Sequence, residues 1–429
     1  MSIKETLEYI HNVKWRGSKP GLLRTQELLG ALGNPEKKLK FVHVAGTDGK
    51  GSTSAFIASV LTKAGYKTGL YVSPYVICFN ERMQVDGEYI SDNELSQLTN
   101  EIRPFADAME DSPTEFELIT ALAMKYFSSK ECDIVVLEVG MGGRLDSTNV
   151  IDTPQLAVIT AIGYDHVKEL GPTLRDIARE KAGIIKSGGD VLVYVKPHEP
   201  NYEKEVIGVF ERISQERSAR LCKVDFSRIS GTEFSLESTK MNFAPYGELT
   251  LPLVGAYQPY NAALAITALE KLREKGYKIS DENIKEGIAS VKWQGRFEIL
   301  GKNPVFILDG AHNPQGIKAT AESLTSHFPN KKVIFIVGVM ADKDIDAMML
   351  HIVSLAQAFI TVAPDLSRAM PSEKLAEKLR HFEVPVIDCR DIGKGVRKAL
   401  DMAQENDVIC AIGSFFLHAP AKEAYEKYD

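Results

Sequence analysis

The segment Phe41-Val42-His43-Val44-Ala45-Gly46-Thr47-Asp48-Gly49-Lys50-Gly51-Ser52 constrains the fold most, because an apolar strand-like run passes through a glycine-rich turn into a helical stretch. Such a junction is a phosphate cradle. Small residues let backbone N–H groups approach phosphate oxygens, Lys50 adds a point charge, Ser52 or Thr53 could reach a metal, and the helix aims its positive end at the anion. The pattern departs from a strict Walker A loop, since Gly51 separates Lys50 from the first hydroxyl and no glycine lies five residues before Gly49. A nucleoside triphosphate is the expected ligand, with a plain strand-to-helix turn as the alternative on these residues alone.

The rest of the chain carries the same alternation. Apolar runs at Phe41 to Val44, Thr68 to Val72, Ile134 to Glu138, Leu156 to Thr160 and Val191 to Val195 read as buried strands of a parallel sheet, with crossover helices such as Ser52 to Ala64, Glu115 to Phe127 and Thr173 to Ile185 between them. The predicted fold class is α/β: an N-terminal doubly wound, mostly parallel sheet carrying the phosphate loop, with a small antiparallel patch between about Cys222 and Leu253. A helix from Pro259 to Lys275 follows. A smaller Rossmann-like C-terminal domain then has strands at Val305 to Leu308, Val333 to Val337, Phe359 to Val362, Val384 to Ile387 and Val408 to Ile412. The expected boundary is Gln294-Gly295-Arg296, giving domains 1–295 and 296–429 joined by a short hinge with a cleft between them.

Composition excludes several classes. A net charge of −7 argues against a dedicated polyanion or anionic-membrane partner. The five scattered cysteines form no C-x-x-C pair, so neither a disulfide framework nor a zinc knuckle is indicated. The N-terminus has no signal-peptide pattern, and no run approaches the ~18 apolar residues that span a bilayer. The expectation is a cytoplasmic monomer that binds small molecules, not nucleic acid or membrane.

Three further segments follow predicted strands. Ser73-Pro74 ends the second run, Glu138 ends the third and leads into Val139-Gly140-Met141-Gly142-Gly143-Arg144-Leu145-Asp146, and Asp165-His166 lies past the fourth. Read singly, Ser73-Pro74 is a turn and His166 a surface histidine. Together, Ser73, Glu138 and His166 converge with the phosphate loop on one edge of a parallel sheet, and oxygen ligands beside phosphates suit magnesium.

With Arg179-Glu180-Lys181-Ala182-Gly183 and Asp309-Gly310-Ala311-His312-Asn313-Pro314 added to these segments and to Glu81-Arg82, the chain resembles the folylpolyglutamate and dihydrofolate synthases within the ATP-dependent Mur-type amide ligases, nearly end to end. That family's phosphate loop has the same extra glycine. The resemblance implies that ATP phosphorylates a folate or dihydropteroate carboxylate and that the amine of L-glutamate displaces the phosphate. It implies catalytic roles for Lys50, Lys181 and His312. It implies ATP contacts from Gly46, Thr47, Asp48, Gly49, Lys50, Gly51, Ser52, Thr53, Gln258, Asn261, Arg296 and Asp309. Magnesium, at two sites, would be held by Ser73, Glu138, His166 and Lys181, the lysine having reacted with CO2 to form a carbamate. Substrate contacts would come from Phe116, Asp146 and Ser414.

Individually, Asn261 could cap a helix, Arg296 could form a surface ion pair, Asp309 could cap the helix after Pro314, and Phe116 could be core. Two departures stand out. Asp48 replaces the usual Asn of the family loop, placing a carboxylate beside the phosphates, and Ser414 runs into Phe415-Phe416-Leu417-His418, unlike the usual family ending. Two other readings compete: a nucleotide-binding scaffold that does not ligate, and a peptidoglycan-precursor Mur ligase, which the short stretch before the phosphate loop disfavours.

Overall fold

The computed structural model describes residues 1–13, 19–196 and 202–428. By contacts the chain divides into two units, Met1–Arg228 with Tyr260–Ser290, and Ile229–Pro259 with Val291–Asp429.

The first unit is organised on β1 (Phe41–Ala45), β2 (Thr68–Tyr71), β3 (Met83–Val85), β4 (Glu88–Tyr89), β5 (Ile134–Glu138), β6 (Leu156–Ile159), β7 (Asp190–Val193) and β8 (Arg220–Lys223). Among the described residues these eight form one sheet in the order β4-β3-β2-β5-β1-β6-β7-β8. All neighbours from β2 to β8 pair parallel, and β3 and β4 add an antiparallel edge. Val42 pairs with Val136 on one side and Leu156 on the other, so β1 is central. Every residue of β1, β2, β5 and β6 is buried, as strands covered on both faces require.

One apolar cluster joins Tyr71, Val135 and Leu137 to Leu118, Leu122 and Phe127 of helix Glu115–Ser129. Another joins Ala157, Ile159, Val191 and Val193 to Ile177 and Phe210. Helix Glu115–Ser129 starts where the Thr114 hydroxyl accepts from Glu117 N at 3.3 Å while the Glu117 carboxylate accepts from Thr114 N at 2.7 Å. That carboxylate also pairs with Arg24 at 2.8 Å.

The second unit contains β9 (Ile229–Phe234), β10 (Thr239–Phe243) and β11 (Gly247–Leu251), an antiparallel three-stranded sheet, and β12 (Glu298–Lys302), β13 (Val305–Leu308), β14 (Val333–Val337), β15 (Ala356–Val362), β16 (Val386–Arg390) and β17 (Val408–Ile412). The latter six form a sheet in the order β12-β13-β17-β14-β15-β16, parallel except for β12.

Two details differ from the sequence expectation. Cys222 lies in β8, parallel to β7, so the antiparallel patch starts only at Ile229. Ile229–Pro259 also groups with the C-terminal unit, where a cut after Gly295 assigned it to the N-terminal part. The physical reason is side-chain packing: Leu236 joins the cluster of Phe297, Phe335 and Phe359, and Phe234 lies 5.2 Å from the ring of His327. Among the described residues no helix is long and apolar enough to cross a membrane.

Candidate active site

The strand order brings the carboxyl ends of β2, β5, β1 and β6 side by side, at the topological switch point where open α/β sheets bind ligands. The loop after β1 is fixed by backbone contacts. Thr47 N and Asp48 N donate to Ala161 O at 2.9 and 3.2 Å, and the Thr47 hydroxyl bridges Gly163 O and N at 3.1 and 3.0 Å. A Cβ at Gly46 would fall 1.7 Å from Thr160 Oγ1. One at Gly49, where φ is +83°, would fall 2.4 Å from Asn261 Oδ1. Lys50 opens helix Lys50–Lys63, with Nζ 3.2 Å from Thr47 O. Ser52 and Thr53 are buried in that helix, and Thr53 Oγ1 has no hydrogen-bond partner.

Lys181 ends helix Leu174–Lys181 and reaches this loop, its Nζ donating to Gly46 O at 2.6 Å. It is 5% exposed. Burial, aided by the positive charge of Lys50, pushes its ammonium down from 10.5 to about 7, while Asp165, Asp48 and Asp146 pull the other way. About half of the amine is thus neutral near pH 7.

Ser73 and Glu138 come together: Ser73 N lies 3.3 Å from Glu138 Oε2, and the carboxylate is buried. Arg82 donates to Ser73 Oγ at 3.1 Å, which leaves the hydroxyl a further lone pair. His166 is exposed, in a left-handed conformation at φ 49°, with Nε2 3.8 Å from Asp165 Oδ2. Among the described residues no group of three His, Cys, Asp or Glu side chains is placed to hold a metal. The expected set draws instead on a serine, one glutamate, one histidine and a modified lysine. Hydroxyl and carboxylate oxygens fit a hard divalent cation.

Phe116 lies against Gly140, where a Cβ would meet its Cζ at 2.4 Å, and packs on the first apolar cluster. Asp146 is buried and organises its own loop: it accepts from Met141 N at 2.8 Å, Thr148 N at 3.0 Å and Thr148 Oγ1 at 2.6 Å. Burial pushes its carboxyl up and these hydrogen bonds oppose the shift. Thr148 in turn meets His43 Nε2 at 2.9 Å.

In the helix Gln258–Glu274, Gln258 is fully buried and Asn261 lies within the helix, not at a cap. In the second unit, Asp309 follows β13. Its carboxylate accepts from Ala311 N at 3.1 Å and Thr320 Oγ1 at 3.0 Å, and burial pushes it up to about 6 against the pull of Arg296. The helix Pro314–His327 is capped by Asn313, not Asp309. Arg296 lies over the Phe415 ring, 4.2 Å from its centroid. His312 Nδ1 lies 2.7 Å from Gly310 O, and the buried Ser414 accepts from Phe416 N at 3.2 Å.

Sequence reasoning assigned no role to Arg82, Asp165, Thr160 or Phe415. Arg82 stood inside a family segment and Asp165 beside His166, so adjacency was a usable signal. Thr160 and Phe415 show their contacts only once the chain is folded.

A phosphate loop on a parallel sheet, a buried lysine bonded to that loop and a second α/β unit define an ATP-dependent Mur-type ligase. The Mur ligase middle domain family matches residues 44–269, and the Mur ligase glutamate ligase domain family matches residues 295–415. The chain belongs to the folylpolyglutamate synthase/dihydrofolate synthase family. It is 38% identical over 383 residues to the dihydrofolate synthase/folylpolyglutamate synthase of Bacillus subtilis, covering 87% of each chain. The structure of Mycobacterium tuberculosis folylpolyglutamate synthase complexed with ADP superposes with a TM-score of 0.90 at 26% identity, over 100% of this chain and 98% of that one. Escherichia coli FolC in complex with DHPP and ADP gives a TM-score of 0.86 at 31% identity, over 99% and 98%.

Proposed function

We propose that this protein joins L-glutamate to the free carboxyl of a folate or dihydropteroate through an acyl phosphate, acting as a folylpolyglutamate synthase and also as a dihydrofolate synthase. The observation that carries this reading is the buried Lys181, pushed down to about 7 and donating to the phosphate-loop carbonyl of Gly46, one strand away from the buried Glu138.

The chemistry balances in two displacements. A carboxylate oxygen of the acceptor attacks the γ-phosphorus of ATP and ADP leaves. The neutral glutamate amine then attacks the acyl carbon, inorganic phosphate leaves with the former carboxylate oxygen, and the amine gives up a proton. The loop from Gly46 to Thr53 would hold the phosphates through Lys50 and the N–H groups that Ala161 O and Gly49 O do not already take, and Gln258, Asn261, Arg296 and Asp309 would contact the nucleotide. His312 and Ser414 would serve the glutamate and the departing phosphate, and Phe116 and Asp146 would border the pteroate.

Ser73, Glu138 and His166 would hold magnesium, in two sites together with Lys181. When bound, the metal neutralises charge on the phosphates as the phosphoryl group moves. The neutral Lys181 amine would add to CO2, forming a C–N bond and releasing a proton, to give a carbamate. This turns a buried neutral amine into an anion whose oxygens suit the same metal. In this reading the first unit carries the phosphate loop and the pteroate site, the second binds glutamate, and the enzyme works as a cytoplasmic monomer.

The test is incubation with ATP, magnesium and labelled L-glutamate, offering dihydropteroate and tetrahydrofolate separately and identifying products by mass. Products from both acceptors are expected. Product from tetrahydrofolate alone would remove the dihydrofolate synthase activity, and ATP hydrolysis without product from either would overturn ligation.

A further inference from the structure

Phe415 gathers the functional groups of the second unit around one ring. The Arg296 guanidinium is 4.2 Å from its centroid, the His312 ring 5.5 Å and the His418 ring 5.8 Å. The turn carrying Asp309 and His312 presses on it so closely that a Cβ at Gly310 would fall 2.0 Å from Phe415 Cε1. Gly310 N also donates to Gly295 O at 3.1 Å, which ties the segment bearing Arg296 to the same turn. The ring is only 6% exposed.

A guanidinium held over a desolvated aromatic face is attracted by the ring quadrupole more strongly than at an open surface. His418 offers no competing charge, because burial pushes its imidazole down to about 4. Leucine would fill much of the volume without the quadrupole, whereas tyrosine keeps the ring.

We propose that Phe415 is a positioning residue for nucleotide binding: its ring, which also packs on the His312 imidazole, fixes the Arg296 guanidinium in the orientation in which it serves the nucleotide. The inference rests on the nucleotide role given to Arg296 above. It goes beyond that role by assigning the aim of the cation to the residue after Ser414, where the chain departs from the family ending.

The test is a binding cycle with ADP and magnesium, by calorimetry, on the wild type, Phe415→Leu, Phe415→Tyr, Arg296→Ala and the double variant Phe415→Leu/Arg296→Ala. Thermal melting of each is followed alongside. Phe415→Leu is expected to raise the Kd for ADP roughly tenfold and Phe415→Tyr to restore it. In the Arg296→Ala background the leucine substitution is expected to change Kd by less than about twofold, because its effect passes through Arg296. Equal losses in both backgrounds, or failure of Phe415→Tyr to restore binding while melting normally, would overturn the proposal. Nucleotide binding is read without any folate. A wild type that shows this coupling and makes no glutamylated product would therefore overturn the ligase reading and leave the role of Phe415 standing.

Discussion

Lys181 in the first unit and Asp309 in the second are both buried, both charged by default, and both driven toward neutrality by loss of water, from 10.5 to about 7 and from 3.8 to about 6. Their neighbours act in opposite senses. Lys50 reinforces burial at Lys181, whereas Arg296 opposes it at Asp309. The lysine is therefore left as an available amine, and the aspartate is kept an anion over most of the physiological range. Desolvation supplies the shift in each unit, and the charges around each group strengthen it or hold it back.

The largest effect that sharpens this comparison is on turnover. Lys181→Ala is expected to lower ligation by on the order of 10²–10³-fold, and Lys50→Ala similarly, with circular dichroism unchanged. Formate or acetate is expected to restore part of the Lys181→Ala activity by supplying a carboxylate in the vacated space. Wild-type rates in Lys181→Ala would break the assigned role outright.

The second effect is on pH dependence. Only the neutral amine reacts with CO2, so the ligation rate is expected to fall as pH drops below about 7. Asp48 favours the ammonium form, so Asp48→Asn is expected to move this acid limb to lower pH. A limb that moves upward would show that Asp48 does not act on Lys181.

Stability gives a third contrast, with opposite pH slopes. The Lys181 pKa is depressed on folding, so its ammonium destabilises the native state fully below about pH 7, and the penalty fades as pH rises to 10.5. Allowing for the Gly46 carbonyl left unpaired, Lys181→Met is expected to gain about 2 kcal/mol in urea unfolding at pH 6, shrinking toward pH 10. The Asp309 pKa is raised, so its penalty is absent below pH 3.8 and complete above about 6. Asp309→Asn is expected to gain about 1 kcal/mol at pH 8 and nothing near pH 4. Parallel slopes for the two variants would contradict the common cause. The smallest effect is a control at a group that does not titrate: Asn313→Ala removes a helix cap and is expected to cost about 1 kcal/mol at every pH.

The first unit was far more legible in the sequence than the second. Its loop, Ser73, Glu138 and His166 announce themselves because each ends a continuous apolar run, and in a parallel sheet such ends share one edge. What the sequence missed there were strands without such runs, Met83–Val85, Glu88–Tyr89 and the polar-ended Arg220–Lys223. In the second unit Asp309, His312 and Ser414 also follow strands, but their arrangement depends on ring packing between residues more than 100 positions apart, as with Arg296 and Phe415. No local period or motif encodes such a contact. The burial of Lys181 was hidden for a related reason: a helix-face lysine reads as solvated until the loop folded over it is known.

The central claim is that a carboxylate on the acceptor is phosphorylated before glutamate attacks. It is tested most directly by preparing tetrahydrofolate with both oxygens of its terminal carboxylate labelled with ¹⁸O, running the ligation with ATP and L-glutamate, and measuring the isotope in the released phosphate. The account predicts one ¹⁸O atom in each inorganic phosphate formed per amide bond. Phosphate free of label, alongside normal amide product, would contradict it.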